Sequence, residues 1–207
     1  MPAHVHPVKV IGLTGNIACG KSTVAGMLRD LGATVVDADA VVRELQEPGT
    51  PVWQQIVQAF GRDILRPDGH LDRARLGALV FADPRALARL EAIVHPAVVA
   101  EVDRILAGLP GGVAVVEAVK LVEAGMHRAY DLLWVVVCSE ARQIDRLKGR
   151  GLTEPEARAR LAAQPPLEPR LALADLVVDN DGSLADTRRQ VEAAWAKLGG
   201  VRIAHPR

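Results

Sequence analysis

Gly15-Asn16-Ile17-Ala18-Cys19-Gly20-Lys21-Ser22 reads G-x-x-x-x-G-K-S. It follows a β-branched run, Lys9–Leu13, that ends at Thr14, and it opens a helical pattern from Lys21 to Leu31 that Gly32 stops. Strand, glycine-framed turn and helix in that order make a cradle for phosphate. Successive backbone N–H groups face the anion and the helix N-terminus adds its dipole, while Lys21 reaches the β and γ oxygens and the Ser22 hydroxyl offers a ligand to Mg²⁺. With 18 Gly, five Lys and nine Ser plus Thr in 207 residues, chance supplies about 0.002 such matches. Gly15–Ser22 is therefore the candidate nucleotide site.

Working outward, a second strand over Ala33–Asp37 leads into a helical stretch over Ala38–Leu45 that breaks at Glu47-Pro48-Gly49. This is a βαβ unit. Further buried-type runs at Val113–Glu117, Leu132–Cys138 and Leu176–Asp179 bring the count to five strands, so the expected class is α/β with a mostly parallel sheet. Two excursions interrupt it. The first, about 48–110, lacks strand-like alternation and reads as helical; Asp83-Pro84 marks a helix start, and His95-Pro96 a break or kink. The second, about 139–173, carries a Thr153-x-x-Glu156 capping box and Arg142, Arg146, Arg150, Arg158, Arg160 and Arg170. A last helix begins at a Ser183 cap and ends on Gly199-Gly200.

Composition narrows the function. Twenty-five Lys plus Arg balance 25 Asp plus Glu, so the excess of positive charge that drives bulk nucleic-acid binding is absent. Forty-nine per cent apolar residues exclude disorder and are enough for one domain with inserts. No apolar stretch approaches the ~20 residues of a membrane span, and Met1–Lys9 has no signal-peptide core. Cys19 and Cys138 are far apart, so no disulfide framework is expected. Cys19, at a helix start, is a candidate for a lowered thiol pKa and for oxidation. The six histidines show no metal-ligand spacing, and His4 and His6 fall in an expected loose tail. A cytoplasmic enzyme with small-molecule substrates, as a monomer or weak homo-oligomer, is the expectation. The sequence has 20 Arg against five Lys, a bias that arises either from genome composition or from a need for bidentate phosphate contacts.

The loop alone does not separate a switch GTPase, a motor ATPase and a small-molecule kinase. No Asn-Lys-x-Asp guanine motif occurs, and the third strand ends in Glu117, which could hold Mg²⁺ through water. Asp37 and Asp39 stand at the carboxyl end of the second strand, where ligands bind in open α/β sheets. If the backbone stays extended, they point to one face, and one can orient an acceptor hydroxyl and take its proton; the alternative is that both cap the following helix.

Nearly end to end, these residues resemble the dephospho-CoA kinase family. The resemblance runs through Gly12-Leu13-Thr14-Gly15-Asn16-Ile17, Gly20-Lys21-Ser22-Thr23-Val24 and Asp37-Ala38-Asp39. It continues through Leu71-Asp72-Arg73 with Leu76 and Phe81, Leu90-Glu91 to His95-Pro96, and Gln143 with Arg146-Leu147 and Arg150. It closes with Gln164, Ala174-Asp175, Asp179-Asn180 and Gly182. It implies a P-loop kinase-like three-layer α/β/α fold with a helical CoA-binding insert (about 48–110) and a lid insert (about 139–173), around a core of about 8–47, 111–138 and 174–200. The implied reaction passes the ATP γ-phosphoryl group to the 3′-hydroxyl of dephospho-CoA, with Mg²⁺. Asp39 takes the place of the base, Lys21 and Ser22 serve phosphate and metal, and Thr23 follows in the loop. Arg146 and Arg150 belong to the lid, with Arg150 clamping phosphates or stacking on adenine, and Asn180 sits close to the adenine. Arg73 and His95 fall in the acceptor insert, where His95 either meets substrate or fixes a kink. The sequence departs from the family at Ala18-Cys19 and at Val119-Lys120-Leu121-Val122-Glu123, where the family reads Pro-Leu-Leu-x-Glu. Lys120 is a surface lysine, meets a substrate phosphate, or pairs with Glu117 or Glu123.

Overall fold

A computed structural model of the protein describes residues 8–198; the expected Gly199-Gly200 stop and the His4/His6 tail lie outside them. These residues divide into two compact units, one of residues 8–37 and 106–198 and the other Ala38–Ile105.

The first unit is built on five parallel strands: β1 (Lys9–Thr14), β2 (Thr34–Asp37), β3 (Val113–Glu117), β4 (Leu132–Val137) and β5 (Leu176–Asp179), in the order β2-β3-β1-β4-β5. Every pairing is parallel, so the expected mostly parallel sheet is wholly so. Parallel strands are covered on both faces, which is why β1, β3 and β4 read as unbroken apolar runs. Ile11, Leu13, Val115, Trp134 and Val136 are buried in one core, closed by Val24 and Leu28 of α1 (Lys21–Asp30) and Val191 of α9 (Leu184–Lys197). Gly32, at φ 101°, ends the α1 connection as the sequence predicts. The second excursion folds as α6 (Glu140–Lys148), α7 (Glu154–Ala162) and α8 (Glu168–Leu173). A small core of Ala18, Ile144, Leu147 and Ala157 ties α6 and α7 to the loop after β1.

β1 lies between β3 and β4, because the chain leaves it toward the β2 edge and returns on the other side. That reversal opens a crevice at the carboxyl ends of the strands, where the stretch 15–22 stands.

The second unit holds α2 (Ala38–Leu45), α3 (Pro51–Phe60), α4 (Arg73–Ala82) and most of α5 (Pro84–Ala107). Thr50 caps α3 by accepting from the Trp53 N–H at 3.2 Å, and Asp83 accepts from the Arg85 N–H at 2.8 Å at the start of α5. Two expectations are corrected here. The segment is not wholly helical, since Leu65 and Leu71 form an antiparallel bridge around a turn at Gly69. Nor does Pro96 break α5: the helix runs 24 residues through it. Val94, Val98 and Val102, one turn apart on either side of the proline, are buried, and packing along that stripe outweighs one missing N–H bond.

Candidate functional site

The loop from Gly15 to Gly20 is held by its carbonyls. Lys21 Nζ donates to the carbonyls of Gly15 and Asn16 at 3.1 and 3.3 Å, with the ammonium almost wholly inside the loop. From α6, Arg146 donates to the Ala18 and Cys19 carbonyls at 3.0 and 2.9 Å and to the Asn180 carbonyl at 3.0 Å. Asn180, just after β5, donates to the Cys19 carbonyl at 2.8 Å and accepts from the Thr187 hydroxyl at 2.9 Å. In a trans peptide the N–H points opposite to the carbonyl. With the Cys19 carbonyl pulled back by two side chains, the N–H of Gly20 faces the other way, as an anion cradle requires.

The backbone pays a conformational cost for this shape. Ala18, at φ 59°, is the only non-glycine among the described residues in the left-handed region. Gly15 and Gly20 admit no side chain. A Cβ on Gly15 would lie 2.3 Å from the Val136 carbonyl oxygen, and one on Gly20, at φ 100°, would lie 1.9 Å from Asn180 Nδ2.

At the mouth, the Ser22 hydroxyl on the first turn of α1 donates to Glu117 at the end of β3 at 2.9 Å. One hydroxyl and one carboxylate are hard oxygen donors, the kind Mg²⁺ takes singly or in pairs while substrate phosphates and water fill its other positions. The donor set fits that ion. Among the described residues no cluster of three or more His, Cys, Asp or Glu offers a protein-only metal cage.

Burial pushes the Cys19 thiol above its ordinary pKa, and the opposing pull of Lys21 and Arg146 is smaller. This corrects the expectation of a lowered, oxidisable thiol. Cys138 is likewise pushed up, to about 11, mainly by burial.

Of the residues singled out in the sequence, Gly15 to Thr23, Arg146 and Asn180 come together in the first unit. Arg150 lies exposed, two residues beyond α6, and Lys120 is exposed after β3. Asp39, Arg73 and His95 belong to the second unit. Asp39 is half-buried in the first turn of α2, Arg73 is exposed at the start of α4, and His95 is half-buried within α5. Because α2 begins at Ala38, directly after β2, the chain is helical at Asp39, and the extended i, i+2 alignment with Asp37 does not apply.

Three loop-supporting residues escaped the sequence reading. Gln164, before α8, accepts from the Ile17 N–H at 2.6 Å. Arg170, in α8, donates to Asn16 Oδ1 at 2.8 Å and to Glu123 at 3.0 and 2.5 Å. Gln164 and Glu123 were visible only as parts of a resemblance and Arg170 only as one of six arginines, since their partners lie far off in sequence. Of the six arginines in that cluster, two turn inward, Arg146 onto carbonyls and Arg170 onto Glu123 and Asn16, while Arg158 pairs with Glu154 and Glu140 at the surface.

The family model of dephospho-CoA kinase matches residues 9–186. A dephospho-CoA kinase of Symbiobacterium thermophilum is 53% identical over 200 residues, covering 93% of this chain and 83% of that protein. Among solved structures, TT1252 from Thermus thermophilus superposes with a TM-score of 0.82 at 36% identity, covering 95% of this chain and 100% of that one. Dephospho-CoA kinase from Campylobacter jejuni does so at 0.65 and 27%, covering 92% and 97%.

Proposed function

This chain belongs to the dephospho-CoA kinase family, and from that premise we propose how its residues carry the reaction. The family's reaction transfers the γ-phosphoryl group of ATP to the 3′-hydroxyl of dephospho-CoA, leaving ADP and coenzyme A. Such a transfer needs positioning and charge stabilisation more than covalent help from the protein.

Lys21, held from behind by the Gly15 and Asn16 carbonyls, has a further ammonium proton to give to the β and γ phosphate oxygens and meets the charge that grows there. The loop N–H groups hold the phosphates. Arg146 and Asn180 act by shaping the loop that binds them, and Arg150, exposed beyond α6, meets the nucleotide. Ser22, with Glu117, would hold Mg²⁺, which when bound neutralises charge on the phosphate oxygens. Asp39 orients the acceptor hydroxyl and takes its proton; Arg73, His95 and Lys120 contribute to the acceptor side. The support for Asp39 is its place two residues beyond the carboxyl end of β2, in the Asp37-Ala38-Asp39 stretch that resembles the family. The protein works in the cytoplasm, as a monomer or weak homo-oligomer. Among the described residues, no helix is long and apolar enough to cross a membrane.

The observation that carries this reading is the loop itself: carbonyls pinned from behind, an ammonium at the centre, and a hydroxyl–carboxylate pair at the mouth. Coupled ADP release measured across dephospho-CoA, nucleoside monophosphates and simple alcohols tests the acceptor, and only dephospho-CoA is expected to support turnover. Asp39→Asn is expected to keep nucleotide binding and to lower kcat about 10²–10⁴-fold, the range for a positioned base. Turnover near wild type would remove Asp39 from that role.

A further inference from the structure

Arg170 is 1% exposed. Nε and Nη2 both donate to one oxygen of Glu123, at 3.0 and 2.5 Å, and Nη1 donates to Asn16 Oδ1 at 2.8 Å. Three stretches distant in sequence thus meet on one guanidinium: the second residue of the loop, the turn after β3, and α8.

Each partner is itself fixed to the loop. The turn after β3 is anchored by the Thr14 hydroxyl, which donates to the Val119 carbonyl at 3.1 Å, one residue before Gly15. The Asn16 carbonyl accepts the Cys19 N–H at 3.3 Å and Lys21 Nζ at 3.3 Å. A shift of Asn16 therefore moves both the bend of the loop and the resting place of its lysine.

Stability alone is a weak account of this arrangement: only the Arg170 end of the ion pair is buried while Glu123 keeps contact with water, so the guanidinium gives up hydration for a pair that solvent partly screens. A planar fork that holds two acceptors in fixed directions does account for it, and an ammonium could not reproduce the arrangement.

We propose that Arg170 is a positioning residue for phosphoryl transfer: matched in charge by Glu123, its buried guanidinium fixes Asn16, whose carbonyl holds Lys21. The inference rests on the reading that Lys21 acts on the transferred phosphoryl group. Arg170 touches no substrate; it sets where the lysine and the first half of the loop stand.

A double-mutant cycle in the full chain tests it. Arg170→Met, Asn16→Ala and the double variant are assayed with ATP and dephospho-CoA, each normalised to the molar amount of ATP bound. Arg170→Met is expected to lower kcat/KM for ATP ~10²-fold, the scale of an ångström-sized misplacement. The loss should fall mainly on kcat, with KM for dephospho-CoA unchanged within about threefold, and Asn16→Ala should add no more than about threefold to it. Arg170→Met strands Glu123, so the same cycle is run with Arg170→Lys, which keeps the charge and is expected to recover part of kcat. Losses that multiply in both cycles, or an Arg170→Met enzyme with wild-type kcat, overturn the proposal. Lys21→Ala separates the two readings: full activity there removes the role of Lys21 itself, whereas an inactive Lys21→Ala beside multiplying losses overturns only the positioning role.

Discussion

At the scale of single residues, the loop is decided by where side chains cannot go. Gly20 faces Asn180 so closely that an added methyl must push the amide off the Cys19 carbonyl, and its left-handed φ would strain any substitute. Gly20→Ala is expected to lower kcat/KM for ATP by ~10²-fold or more, because the carbonyl it releases is one that aims the neighbouring N–H at phosphate. Gly26, in the middle of α1, is the control: its added Cβ meets nothing within 4 Å. Gly26→Ala is expected to leave turnover unchanged and to stabilise the fold by ~0.5–1 kcal/mol through helix propensity. Urea melts and steady-state kinetics on the two variants read both effects; a Gly20→Ala enzyme as active as Gly26→Ala would show that the loop tolerates its own reshaping. The framing glycines, Lys21 and Ser22 were legible in the sequence because a local pattern of spacing is all they need. Arg170 was not, since an arginine that fixes a loop and one that lies in water read alike until the fold brings a partner 154 residues away to its guanidinium.

At the scale of elements, helix starts were the most legible feature. Thr153 with Glu156 forms the capping box its spacing predicts, and Ser183 caps the last helix as expected, with Asp186 completing a second box. Ser139 caps α6 by accepting from the Arg142 N–H at 3.4 Å, but its tie to Asp181 was not legible, since Ser139 gives its N–H and hydroxyl to a carboxylate 42 residues on, at 2.9 and 2.6 Å. That carboxylate joins the start of α6, which carries Arg146, to the turn that carries Asn180. In sequence Pro96 reads as a break or kink, and it does not break α5, because a buried stripe continues on both sides of it. The caps predict acid behaviour. Asp181, Asp186 and Glu156 are held below their ordinary pKa, first by hydrogen bonds from the hydroxyls of Ser139, Ser183 and Thr153. A depressed folded-state pKa stabilises above the unfolded value and loses that contribution as pH falls through the folded value. Urea midpoints are therefore expected to hold near neutrality and to fall below about pH 4, the ordinary carboxylate range. Asp181→Asn should lower the midpoint at pH 7 yet flatten the acid decline. An acid limb unchanged in that variant would assign the loss to other carboxylates.

At the scale of the molecule, neutrality of the whole chain hides a division of labour between its parts. The unit made of residues 8–37 and 106–198 contains the loop and every side chain that pins it, including those of the excursion between β4 and β5. The unit Ala38–Ile105 contains Asp39, Arg73 and His95. If nucleotide and acceptor are bound by separate parts, each ligand alone should slow amide exchange in its own part. Hydrogen exchange with Mg·ATP is expected to protect residues 15–24, 143–150 and 164–170, where Gln164 and Arg170 grip the loop. Dephospho-CoA alone is expected to protect peptides within 48–110 and leave 164–170 at its unliganded rate. Ligand present at about 100 times its Kd adds roughly 2.7 kcal/mol to the opening free energy of the amides it stabilises, a hundredfold slowing well within reach of the measurement. Protection of 48–110 by Mg·ATP to the same degree as the loop would mean that the excursion after β2 belongs to the nucleotide site. The arginines sharpen the same point: of the six in the second excursion, Arg146 and Arg170 are turned onto protein groups and support the loop from behind, while Arg150 stays exposed.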